Sequence, residues 1–239
     1  MIFVNGDSVS FGLEISTDDL EVIKEKRFSN IIAQKLDTNV INIAEKNISN
    51  DWIVRTSIDW LETHDKPDFA LIQFGPAKRF EWYCDGNYKH ISPSSARKKR
   101  IIHDNTITVV PPLLAAESYY SDIENDVYSQ MNLWKNVYLM ETYLKAKDID
   151  HYFWHYKCQP YDRNRKYDEV DLTYKRNSSW KDMIEICDII GNAIDHPENF
   201  PEKQSGILSF KYGMKKGTHP NEKGHKLLAE HFLEHFICR

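Results

Sequence analysis

The sequence is short of several things, and each shortage narrows the reading. Its four cysteines, Cys84, Cys158, Cys187 and Cys238, contain no CxxC pair. No disulfide framework is indicated, and reduced thiols are the expectation. No apolar run is long enough to span a bilayer, so no membrane partner is expected. No basic leader precedes Gly6, so a cytoplasmic protein is expected, with packaging into a virion or release by lysis left open. Basic residues are not in excess: 31 Lys and Arg face 36 Asp and Glu, a net charge of -5, so no nucleic acid partner is expected. The one basic run, Arg97 to Arg100, reads as a solvated loop. Metal-ligand patterns are missing too. His155 and Cys158 lack a second pair, and His231 and His235 share a helix face without an HExxH motif. No metal and no organic cofactor is expected.

What is present is an alternation of short apolar runs and helical patterns. Residues 2–5 read as a buried strand entering the turn Gly6-Asp7-Ser8. Residues 25–36 carry Phe28, Ile31, Ile32 and Leu36 at helical spacing. A strand is expected over 39–44, a helix over 51–63 and a doubly buried strand over 68–74 (DFALIQF). This order predicts an α/β protein, a three-layer α/β/α sandwich with a mainly parallel sheet. With no repeat or linker in the way, residues 1–239 are expected to form one domain. After Gly75 the pattern breaks, and residues 80–117 read as an insertion or lid. A long helix follows over 121–147, with Ile123, Val127, Met131, Trp134, Val137, Met140 and Leu144 in register. Then come a strand over 149–154, a polar loop over 158–178, a helix over 180–194 and a closing helix over 221–236. Many aromatics fall between Phe80 and Tyr174. They fit a ligand-contacting loop or a second small core equally well.

In such sheets ligands bind at the carboxyl ends of the strands. The turns Gly6-Asp7-Ser8, 45–50 and 75–79 converge there, as does the loop Gly217-Thr218-His219-Pro220-Asn221. A serine at a strand-to-helix turn and a histidine before a late helix are the parts of an acyl-transfer site. The hydroxyl becomes a useful nucleophile only when a base takes its proton, and histidine suits that task near neutral pH.

These segments resemble the sequence blocks of the SGNH (GDSL-type) hydrolases. NGDSVSFG at 5–12 resembles the first block, NIAEKNISN at 42–50 the second and GTHPNEKGH at 217–225 the last. The resemblance runs in order along nearly the whole chain and implies an SGNH/flavodoxin-like fold. It implies Ser8 as nucleophile and first oxyanion donor, and His219 as base. Asn47 stands where the second block's oxyanion glycine would be, and asparagine tolerates positive φ.

The third block departs from the pattern, reading Gly75-Pro76-Ala77-Lys78, so the family's oxyanion asparagine is replaced by Ala77. The aspartate three residues before the base is replaced by Lys216. Asp7, Glu45 and Asp51 remain as groups that could orient His219. Phe74 to Glu81 resembles a variant ending of the third strand seen in SGNH-like proteins of phages and marine bacteria. There Arg79 would serve the oxyanion or a substrate carboxylate. The alternative is a structural pair between Arg79 and Glu81 or Asp7. The expected activity is that of a serine esterase or deacylase acting through an acyl-enzyme on a small acyl ester, such as acetyl on a carbohydrate. An acyltransferase would use the same residues. The rival is a non-catalytic SGNH-like binding or structural protein, phage-borne on that resemblance.

Overall fold

The computed structural model describes residues 1–13, 15, 19–84, 86–92, 101–103, 106–108, 119–120, 126–155, 184–185, 197–199 and 219–237. Strand β1 (Ile2–Asn5) leads into the short helix α1 (Ser8–Phe11). Then come α2 (Leu20–Lys26), α3 (Phe28–Lys35), β2 (Val40–Asn42), α4 (Asn50–Thr63) and β3 (Phe69–Phe74). Two antiparallel hairpins follow, β4 (Phe80–Cys84) with β5 (Asn87–Ile91), and β6 (Ile101–His103) with β7 (Thr106–Thr108). The chain continues through α5 (Asp126–Ala146), β8 (Asp150–His155), β9 (Ile184–Glu185), a 3-10 turn at Pro197–Asn199, and α6 (Glu222–Ile237).

Five strands form one parallel sheet in the order β2-β1-β3-β8-β9. The chain leaves β1 toward β2 on one side and resumes at β3 on the other. That reversal makes the carboxyl ends of β1 and β3 the switch point where such sheets open a crevice. Side chains alternate across β1 and β3 and so divide two cores. Ile2, Val4 and Leu71 pack with Phe28, Ile32, Trp154, Leu228 and Phe232 under α3 and α6. Phe3, Ala70, Ile72 and Phe74 pack with Ile53, Leu61, Leu133, Val137, Met140 and Leu144 under α4 and α5. The expected three-layer α/β/α architecture is therefore observed.

Several local expectations change. The single helix expected over 25–36 is two helices, broken at Arg27, whose extended backbone (φ -72, ψ 149) ends α2 and starts α3. Asp19 caps α2 by accepting from the N–H groups of Glu21 and Val22. Arg27 gives α3 no side-chain cap. Instead the Phe28 N–H donates to His225 Nδ1 from α6, at 3.3 Å. The break thus places Phe28 fully in the core, which contributes about 1.5–3 kcal/mol.

The helix expected over 180–194 is contradicted at Ile184–Glu185, which pair with Trp154 and His155 as the edge strand β9. Two residues are too short a run for periodicity to register. The insertion after Gly75 contains the two hairpins rather than loop alone. In α5 the buried stripe runs through Leu133, Trp134, Val137, Met140 and Leu144, whereas Met131 is exposed. The loop over 158–178, the basic run at 97–100, and Ile123, Cys158 and Lys216 lie outside the described residues.

Candidate active site

The site begins with a glycine that no other residue can replace without cost. Gly6 ends β1 with φ +155, and a Cβ there would stand 2.5 Å from Gln73 Cβ and 2.8 Å from Ser10 Oγ. The turn therefore drops directly onto β3. Gln73 meets it from that side, its Oε1 accepting from the Ser10 N–H at 2.8 Å. Asn5 fixes the other side. Its Oδ1 accepts from the Gly6 N–H, and its Nδ2 donates to Ile53 O, Thr56 Oγ1 and Ser57 Oγ of α4. Ser8 then starts α1, with only 3% of its surface exposed.

Asp7 occupies the position before α1 but does not cap it. Its fully buried carboxylate turns toward the neighbouring loops. Oδ1 accepts from the Asn47 N–H at 2.9 Å, and Oδ2 accepts from Arg79 Nη1 at 2.5 Å. Of the two pairings open to Arg79, the observed one is Asp7; Glu81 instead pairs with Arg55 at 2.7 Å. Arg79 Nη1 also donates to Ile48 O at 3.2 Å, so one corner of the guanidinium holds two acceptors of the site. Asn47 has φ 65, the left-handed conformation that asparagine tolerates. In this geometry its N–H is directed to Asp7. Gly75 sits against the same carboxylate: a Cβ there would lie 3.3 Å from Asp7 Oδ2.

Asn50 ties the third strand to the second loop. It is 1% exposed, and its amide makes reciprocal hydrogen bonds with Gly75, accepting from the N–H at 2.8 Å and donating to the C=O at 3.2 Å. The cap of α4 is Ser49, whose Oγ accepts from the Trp52 N–H at 3.2 Å. Asp51 faces α5, accepting from Asn132 Nδ2 and Asn136 Nδ2, each at 3.1 Å, and pairing with Lys135. Of the three carboxylates considered as orienting groups for His219, Asp7 and Asp51 are thus engaged elsewhere.

His219 arrives from the far end of the chain. It precedes Pro220 just before α6, and Asn221 steadies that junction by accepting from the Gly224 N–H at 3.1 Å. His219 Nε2 lies 2.8 Å from Ser8 Oγ. Deeper in α6, His225 is fully buried against Phe28, their rings parallel at 6.0 Å. Burial pushes its pKa down to about 3, with the charges of His219 and Arg27 acting the same way. His225 is therefore a neutral packing residue that accepts the Phe28 N–H.

The structure brings Ser8, His219, Asp7, Asn47, Gly75 and Arg79 to the carboxyl ends of β1 and β3. Sequence reasoning passed over Asn5, Gln73 and the clamp made by Asn50. Gln73 carried a usable signal: a polar residue inside the buried run FALIQF must find a partner. Among the described residues, no cluster of three or more His, Cys, Asp or Glu could hold a metal ion. His231 meets Tyr152, with Nε2 3.4 Å from the hydroxyl oxygen. Nor is any described helix long and apolar enough to cross a membrane.

A model of a family of unknown function, DUF6071, matches residues 15–239, a span that begins after Ser8 and includes His219. No curated protein matches. Solved structures share the fold at low identity. The psychrotrophic esterase EstA from Pseudoalteromonas sp. is 12% identical with a TM-score of 0.52, covering 100% of this chain and 98% of that one. A carbohydrate esterase, whose active site is described as displaying divergent catalytic and non-catalytic binding functions, is 13% identical with a TM-score of 0.52. That match covers 100% of this chain and 64% of the other. TesA is 12% identical with a TM-score of 0.50, covering 98% and 96%.

Proposed function

The chain belongs to the DUF6071 family of unknown function, and we propose that it is a serine esterase or deacylase cleaving a small acyl ester, such as acetyl on a carbohydrate. The observation that carries this reading is the 2.8 Å contact between Ser8 Oγ and His219 Nε2. It is the nucleophile-to-base distance that general-base activation requires. Ser8 Oγ attacks the acyl carbonyl as its proton passes to His219 Nε2. The same proton then goes to the leaving alcohol, and an acyl-enzyme remains. Water, deprotonated by His219, releases the acid and restores Ser8. An alcohol acceptor in place of water would make the same site an acyltransferase.

The negative charge on the tetrahedral intermediate needs donors. Ser8 is the first residue of α1, where backbone N–H groups have no helical acceptor. Arg79 is the second source of positive potential. Nη1 is anchored on Asp7 and Ile48 O, and the planar guanidinium has further N–H donors suited to an oxyanion or a substrate carboxylate. Asn47 joins this assembly through Asp7, which holds its N–H beside Arg79. The fold shared with solved esterases supports the reading as analogy, since one fold hosts many functions.

A second reading has its own observation. Ala77 stands where the resemblance to the SGNH hydrolases implies an asparagine, and both the Asn47 N–H and Arg79 Nη1 are already directed to Asp7. That arrangement suits a binding protein that has retired the chemistry. A fluorophosphonate probe separates the two. Wild-type protein is expected to be labelled and Ser8→Ala is not, while His219→Ala lowers turnover of short p-nitrophenyl esters about a thousandfold or more. Absence of labelling and of turnover in the wild-type protein would sink the esterase and leave the binding role.

A further inference from the structure

We propose that the β4–β5 hairpin is a glycan platform, on which Tyr83 and Tyr88 stack sugar rings of an acylated carbohydrate beyond the ester presented to Ser8. The platform rests on the esterase reading for its purpose but not for its binding. Strand β4 starts at the residue after Arg79. At about 3.3 Å per residue, Tyr83 lies within roughly 13 Å of Arg79 along the chain. A chain of sugars held at Tyr83 therefore reaches the site.

Tyr83 and Tyr88 are opposed in the hairpin register, and their rings stand 5.0 Å apart at 60°. They remain 63% and 46% exposed. Helix α4 braces Tyr88, and Tyr83 packs on Tyr88 in turn. The Arg55 guanidinium lies 4.0 Å from the Tyr88 ring centroid, and Glu81 grips it with two hydrogen bonds of 2.7 and 3.2 Å. The result is a ring pair in which the guanidinium, held by Glu81, covers one face of Tyr88 and fixes it in place.

That combination selects the ligand. A pyranose offers an apolar C–H face to an aromatic ring and a rim of hydroxyls that both donate and accept. A fatty chain or an amphipathic helix is served best by exposed aliphatic side chains, and the one aliphatic residue among the hairpin's described side chains, Ile91, is buried. A polyanion would meet Glu81 and a net charge of -5. Trp82, adjacent in the strand and also exposed, points to the opposite face of the hairpin and provides an internal control.

The test uses full-length Ser8→Ala protein, so that binding is separated from hydrolysis, titrated calorimetrically with unacylated xylohexaose, cellohexaose and chitohexaose. At least one hexaose is expected to bind. Adding Tyr83→Ala or Tyr88→Ala weakens it about tenfold, while Trp82→Ala leaves it within about twofold. With Ser8 intact, Trp82→Ala leaves p-nitrophenyl acetate turnover unchanged. The proposal is overturned if no hexaose binds, or if the tyrosine variants bind as tightly as their parent. It is overturned equally if Trp82→Ala weakens binding as much, or if Tyr83→Ala acts only by dissociating a dimer of this chain. Glycan binding without ester turnover in the Ser8-intact protein would refute the esterase and leave the platform standing.

Discussion

The carboxyl end of β1 and the β4–β5 hairpin are joined through Arg79, which pairs with Asp7 and immediately precedes β4, yet they are built by opposite rules. Around β1 polar groups are buried and joined: Asn5 to α4, Asp7 to Asn47 and Arg79, Asn50 to Gly75. At the hairpin the large exposed side chains among the described residues are aromatic, Trp82, Tyr83 and Tyr88. Buried hydrogen bonds in a low dielectric hold atoms to a fraction of an ångström. Exposed rings tolerate variation in what lies on them. The first suits a bond-breaking centre, which needs one geometry, and the second suits recognition of a ligand that differs from one substrate to the next.

This contrast can be broken by measurement. The largest effect is expected at Gly6→Ala, where the new Cβ meets Gln73 and the backbone is already at positive φ. Urea denaturation should show a loss of about 3 kcal/mol. Asn50→Ala comes next. It strands both polar groups of Gly75 in the interior, a loss of about 2 kcal/mol with slower ester turnover, partly restored by Asn50→Asp but not by Asn50→Leu.

The acid limb of stability is a smaller and more gradual effect. His225 in the folded protein has a pKa near 3, below its ordinary 6.5, so the unfolded chain binds the extra proton between those values. The melting temperature should therefore hold above pH 6.5 and fall as the pH drops through that window, and His225→Gln should flatten the fall. Smallest is Tyr83→Ala, expected to change stability by less than about 0.5 kcal/mol. If it cost as much as Gly6→Ala, the two regions would not differ in kind.

The sheet was readable because its central strands are apolar runs bounded by turn residues, and Phe69–Phe74 formed almost to the residue. The positive φ of Asn47 was anticipated from the place of a glycine in the second block. Less legible were features decided at long range. The break at Arg27 depends on an N–H partner, His225, that lies in α6. The Asn50 clamp needs β3 beside α4 before its amide has anything to bind. Either partner for Arg79 was admissible in sequence, and the choice of Asp7 follows from Arg55 taking Glu81. Strand β9 has too few residues for any pattern of its own and exists because the edge of β8 needs a partner.

Ser8 and His219 are 211 residues apart in sequence. On a ribosome adding about 5–20 residues per second, the serine emerges roughly 10–40 s before the histidine that meets it. Through that interval the hydroxyl is an ordinary alcohol. The contact needs α6 packed on α3, where Leu228 and Phe232 meet Phe28 and Ile32. A chain stalled before residue 219 carries the serine without its partner, so the pair marks synthesis that has passed His219.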